Sequence, residues 1–346
     1  MTVSAGGPPA RASADELARS RGRREPRWGR GSHSSRAPAA RGKAAVAAVG
    51  ACLIIAAVIL TTLVVRGPGG RPPAPGAAPT GRASPAGQLK VTSPAPLHLR
   101  HRDPLAAAAA SYVSTRSGTV LAAVYDIGTG QTWRLGRGQP QAEASVVKLD
   151  VLETLLAERG DSPTGPSATD QSLAQQMIED SDNAAATRLW HAVGGAASIR
   201  SFNAAVGLTH TSPSPCVDCP GFPWPGWGLT TTTPTDQIPL LRELVEPNAL
   251  LAAAERSYAL SLMENVTQSQ RWGITGGVPH QATVALKNGW LPLDSAGTNW
   301  QINSVGWISG GRADYLMAVL TTGNPTEQYG IDTINGLAAI VWRDMS

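Results

Sequence analysis

Hydrophobic and polar positions divide this 346-residue chain into four stretches of different character. Residues 1–43 show no apolar period. Residues 44–65 then run for 22 positions without a charged side chain, long enough at helical rise to cross a hydrocarbon core of ~30 Å. The pattern predicts a transmembrane helix over 44–66. A cleaved signal peptide has a shorter apolar core and a small-residue cleavage site, whereas here the run leads straight into Arg66, Gly67 and Pro68. Residues 67–104, with nine prolines and six glycines, read as an extended, semi-rigid linker.

Beyond residue 104 regular periods begin. An Ala-rich helix near 104–115 precedes two strand-like runs, T-V-L-A-A-V-Y-D and T-W-R-L-G, joined by a hairpin turn at 126–130. Amphipathic helical segments begin near Ser145, Asp170, Asn183, Ala197, Pro234 and Leu250 and end at about Val266. Three more strands follow at 282–290, 300–309 and 314–322, and a last helix at 331–342. Strands at both ends with helices between them predict an α+β domain over 105–346. Its antiparallel sheet of about five strands, whose first and last portions meet, is flanked by terminal helices and carries an inserted all-α lobe.

Charge alters the picture only at the N-terminus. The chain has 29 basic and 25 acidic residues, and the first 43 positions hold ten of the former against three of the latter. The tail is therefore expected to be disordered, and the remainder is near neutral. With no nucleic-acid motif in view, the basic flank is better explained by the positive-inside rule. That rule places residues 1–43 in the cytoplasm and the domain outside a plasma membrane that the chain crosses once. Cys52 is then a buried membrane residue. His98 and His101 lack the further ligands a metal site needs, so no metal or cofactor is expected, and the domain is expected to be a monomer.

Lysine usage singles out one segment. Of the 29 basic residues only Lys43, Lys90, Lys148 and Lys287 are lysine, so Arg serves almost wherever a plain charge suffices. Lys148 stands three residues after Ser145 in S-V-V-K, one turn along a helix start, where a nucleophile and an amine that can lose its proton share a face. Ser is also a common N-cap, and that plainer role competes with the catalytic one. Two more short motifs follow in order, S-D-N at 181–183 and K-N-G at 287–289.

S-x-x-K, S-D-N and a K-T-G-like triplet in this order make residues 104–346 resemble the class A β-lactamase and penicillin-binding serine hydrolase superfamily. M-I-E-D-S-D-N-A-A-A and T-T-T-P at 231–234 add to the resemblance. It implies that Ser145 is acylated by a β-lactam or a D-Ala-type wall peptide, with Lys148 as base and Ser181 passing a proton to the leaving nitrogen. Asn183 would hold a substrate amide, Asp182 its own loop, and the backbone N–H groups of Ser145 and Trp290 an oxyanion. Lys287, with Asn288 and Gly289, would meet the substrate carboxylate and lower the pKa of Lys148.

Two departures bear on activity. Asn288 replaces the usual hydroxyl of the third motif. The loop before T-T-T-P lacks the E-x-x-L-N of class A β-lactamases, and Asp218 is the only acid between 208 and 229, so deacylation is expected to be slow. Cys216 and Cys219, on the outer side of the membrane, are expected to form a short disulfide rather than a zinc or redox site. Trp224, Trp227, Trp272 and Trp290 either line the cleft or pack the loops. Two rival readings are a Ser-His-Asp enzyme using His191, His210 or His280, which no G-x-S-x-G supports, and a non-catalytic module that binds wall peptide or a partner.

Overall fold

A computed structural model describes residues 102–160 and 165–346. The expected tail, membrane span and most of the linker lie outside the described residues, among which no helix is long and apolar enough to cross a membrane.

Helix α1 (Ala107–Ser114) leads into the hairpin β1 (Thr119–Asp126) and β2 (Gln131–Leu135). Asp126 closes the turn by accepting from the Gly128 N–H and the Thr129 hydroxyl. A two-residue strand, β3 (Gln141–Ala142), precedes a 3₁₀ turn at Ala144–Val147 that runs into α2 (Lys148–Arg159). The helical block continues with α3 (Ala168–Glu179), α4 (Asn183–Ala192) and α5 (Gly195–Val206). After a long loop, β4 (Thr231–Thr232) pairs with β3, and α6 (Pro234–Val245) and α7 (Ala253–Glu264) complete the lobe. The chain ends on β5 (Thr283–Pro292), β6 (Trp300–Gly310), β7 (Ala313–Asn324) and α8 (Glu327–Met345).

The five-stranded antiparallel sheet has the order β2-β1-β7-β6-β5. The first and last strands in sequence do meet, through the β1–β7 pair, and β5 is left as an edge. One sheet face packs on α1 and α8 through residues such as Leu105, Val124, Ile334 and Leu337. Leu316, Ala318 and Val305 on the other face pack on the helical lobe. That lobe is centred on α2, whose Leu149, Leu152, Leu155 and Leu156 are buried along with its polar Lys148, Asp150 and Glu153. A helix buried all round belongs at the centre of a lobe, and this one carries Lys148 to the junction with the sheet.

Candidate active site

Ser145 lies in the 3₁₀ turn, not in α2 itself, and Val147 rather than Ser145 is the N-cap residue of α2. The plainer capping role for Ser145 is thereby removed. Its turn is held against the sheet by Asn303 on β6, whose Nδ2 donates to Ala142 O at 2.8 Å and Glu143 O at 3.0 Å. Gly289 on β5 permits the closest approach. A Cβ there would sit 2.5 Å from Glu143 O and 2.9 Å from Ser145 N, so only glycine lets the edge strand lie along the nucleophile turn.

Ala144 and Ser181 are the only non-glycine residues with positive φ among the described residues, at 51° and 56°. Each such residue costs roughly 1–3 kcal/mol, and such strain clusters at functional sites. Both line one cavity. Ser181 stands before Asp182, the N-cap of α4, whose carboxylate accepts from the Ala185 N–H at 2.6 Å. Asp182 thus holds its loop, and Asn183 becomes the first residue of the helix.

Lys148 is fully buried, and its Nζ has three partners: Ser181 O at 2.6 Å, Ser181 Oγ at 3.0 Å and Asn183 Oδ1 at 2.9 Å. Lys287 Nζ donates to the same Ser181 Oγ at 2.9 Å and to Asn288 O at 3.0 Å. Burial holds the Lys148 amine well below the usual lysine range, the charge of Lys287 lowers it further, and Asp182 opposes both. Burial also pushes Lys287 down to about 7. A neutral Lys148 keeps two N–H groups for its acceptors and one lone pair to take a proton. Both lysines donate to the Ser181 hydroxyl oxygen, which links the two amines and leaves its own proton to give. Ser145 is not among the Lys148 partners, and nucleophile–base bonds commonly tighten only in the substrate complex.

The structure corrects one expectation. Asn288 is fully buried and donates both Nδ2 protons, to Gln270 O at 2.7 Å and Trp272 O at 3.0 Å. On a strand successive side chains alternate faces, and this amide fastens the 268–272 segment instead of meeting a carboxylate. Of the remaining expected residues, Ser145, Ser181, Asn183 and Trp290 line one cavity of about 310 Å³, Gly289 abuts the Ser145 turn, and the buried Lys148 and Lys287 reach it through their bonds to Ser181.

The loop before β4 delivers aromatic residues rather than a carboxylate. Trp227 is buried, sits with Lys148 Nζ 5.0 Å from its ring centroid, and donates from Nε1 to Thr187 Oγ1 at 3.0 Å. Asp218 is exposed and does not line the cavity. Cys216 and Cys219 form the expected disulfide. Trp224 joins Trp227 on the wall, while Trp272 packs edge-on against Trp290 at 6.0 Å. Asn303, Trp300 and Glu327 were not legible as site residues, since nothing in their local sequence sets them apart from ordinary strand and helix positions. Among the described residues no cluster of three or more His, Cys, Asp or Glu is placed to hold a metal ion.

An α+β domain with Ser145 on a strained turn, two buried lysines sharing one serine hydroxyl, and an edge strand alongside defines a β-lactamase-like protein. Residues 157–345, more than half the chain, match the model of the Beta-lactamase enzyme family, and the chain belongs to that family. A Mycobacterium tuberculosis protein named "Putative lipoprotein LppW" is 29% identical over 208 residues, 58% of this chain and 62% of that relative. The same-named protein of Mycobacterium bovis matches equally. The chain therefore spans less than two thirds of these relatives. Among solved structures, the extended-spectrum β-lactamase TLA-1 superposes with a TM-score of 0.60 at 18% identity, covering 71% of this chain and 99% of that one. PBP-A superposes with a TM-score of 0.55 at 19% identity over 67% and 92%. A variant of PBP-A, solved as an acyl-enzyme complex with penicillin G, gives 0.54 at 19% identity, over the same shares of the two chains. These likenesses are of fold.

Proposed function

We propose that this protein is a serine acyl-transfer enzyme that forms an ester on Ser145 with β-lactams or D-Ala-type peptides and releases it slowly. The observation that carries this reading is Ser181 Oγ standing between Lys148 and Lys287 at 3.0 and 2.9 Å. Neutral Lys148 takes the Ser145 proton as the Oγ–C bond forms. The backbone N–H groups of Ser145 and Trp290, the latter on an edge strand with unpaired backbone groups, receive the oxyanion. As the C–N bond breaks, Ser181 gives its proton to the nitrogen and recovers one from Lys148. Asn183 has its amide protons free for a substrate carbonyl, and Lys287 draws the substrate carboxylate. Among the described residues the loop before β4 puts no carboxylate in the cavity to activate a deacylating water, the one carboxylate lining it being Glu327 of α8, and Trp227 covers Lys148 instead.

The expected setting is a single-pass plasma-membrane protein anchored by residues 44–66, with its N-terminus cytoplasmic and the domain outside. The uncharged run, its basic flank and relatives named as lipoproteins support a membrane-associated, extracytoplasmic place. The chemical reading is tested by intact-mass measurement of the full chain after mixing with benzylpenicillin. One adduct, lost in Ser145→Ala and persisting for minutes, is expected. A protein that stays unmodified is a binding module instead.

A further inference from the structure

The far wall of the Ser145 cavity carries one charged side chain that the acyl-transfer steps leave unused. Glu327, the first residue of α8, lines that wall beside Trp300 and Pro292. It is the only charged residue on the wall among the described residues. Its carboxylate has neither a hydrogen bond nor an ion pair among them, and partial burial raises its pKa with no other charge contributing. The surrounding walls are aromatic, from Trp224, Trp227, Trp290 and Trp300. An unpaired carboxylate among indole faces is the environment in which an ammonium ion gains both ion-pair and cation–π attraction.

Register fixes which part of a substrate reaches it. Gly289 abuts Ser145, and Pro292, which pairs with Trp300, lies three positions further along β5, ~10 Å at ~3.3 Å per residue. Lys287 lies on the opposite side of Gly289. Since Lys287 and Ser181 serve the leaving nitrogen and its carboxylate, the half of the substrate retained on Ser145 extends toward Trp300 and Glu327. A second depression sharing Trp224, Pro292 and Trp300 continues outward past Leu293, so a long acyl chain has room.

Resting on the acyl-transfer reading, we infer that Glu327 selects acyl donors whose retained half carries a primary ammonium group ~10 Å from the reacting carbonyl. A peptide whose side chain or N-terminus ends in an amine has that form. Anionic acyl chains are repelled by the same carboxylate, and neutral ones gain only the aromatic contact.

The test uses the full chain and two penicillins with one 6-acyl chain, ending either in a primary amine or in the corresponding N-acetyl amide. Equilibrium binding to Ser145→Ala is read by tryptophan fluorescence, and acylation of the unsubstituted protein by intact mass. The amine compound is expected to bind and acylate about tenfold better, equivalent to ~1.4 kcal/mol, with the gap shrinking at high salt. In Glu327→Gln the two compounds become equivalent. A binding preference without any acylation sinks the acyl-transfer reading and leaves the Glu327 assignment standing. Acylation with no preference, a preference that survives in Glu327→Gln, or no binding of either compound overturns the assignment.

Discussion

Lys148 and Lys287 sit on either side of one hydroxyl, yet they have different tasks, and the difference is measurable. Lys148 must be neutral to accept the Ser145 proton, whereas Lys287 must be charged to draw a carboxylate. Acylation measured as kcat/KM reports the free enzyme. It is expected to rise with pH as Lys148 loses its proton and to fall again near 7, where Lys287 loses its own. Lys148→Arg keeps the charge and removes the base, so acylation should drop by ~10²–10⁴. Lys287→Arg keeps a cation at every accessible pH, so it should retain activity and lose the alkaline limb. An alkaline limb unchanged in Lys287→Arg would assign that limb to another group.

At the scale of elements, α2 is unusual for the acids it buries. Both Glu153 carboxyl oxygens lack hydrogen-bond partners, and burial raises this carboxyl well above the usual range, with Asp150 and Glu243 adding to the shift. Glu143 and Asp150 are buried as well, and burial raises both carboxyls, Asp150 to about 6 against the opposing effect of the Asn203 amide that donates to it. For Glu153 the folded pKa lies above the unfolded one of about 4.3. Below that value both states hold the proton. As pH rises past it only the unfolded chain releases the proton, so stability falls until the folded carboxyl also ionises. Thermal unfolding of Glu153→Gln should therefore lose this slope and gain on the unsubstituted protein as pH rises from about 4.5 toward neutrality, by at most ~1.4 kcal/mol per pH unit. Parallel curves would mean that Glu153 is paired.

Elements also show what could be read in advance. The strands β5, β6 and β7 and the starts of α3, α4 and α6 were legible within three residues because each has a clear apolar period and a turn or cap at its edge. Ser167, Asp182 and Thr233 cap α3, α4 and α6 through their own side chains. The pair β3–β4 has two residues per strand and no period to read. The loop before β4 is equally silent, since its path follows the Cys216–Cys219 bond and Gly226, where a Cβ would lie 2.1 Å from Cys219 Sγ. Nothing local places Trp227 on Lys148. Glu327 lies four residues ahead of the helix expected over 331–342, because α8 begins at the Thr326 cap, and only the β5–β6–β7 register brings it to the cavity wall. The motif residues were legible because reaction chemistry restricts their type, and Asn288 was misread because its partners, Gln270 and Trp272, are brought near only by the fold.

For the whole molecule, the apolar segment and the domain are distinct expectations joined by a Pro/Gly-rich linker. Protease added to intact cells should remove the domain if residues 44–66 anchor it outside. Cleavage only after permeabilisation would reverse the topology.

The central claim is that Ser145 is acylated readily and freed slowly, because the loop brings Trp227 rather than a carboxylate to Lys148. Pre-steady-state hydrolysis of a chromogenic cephalosporin by the full chain measures both halves at once. The account predicts a burst stoichiometric with enzyme, then turnover ~10²–10⁴ slower, as expected where no general base is positioned, unchanged by Asp218→Asn and absent in Ser145→Ala. Rapid linear turnover without a burst would contradict it.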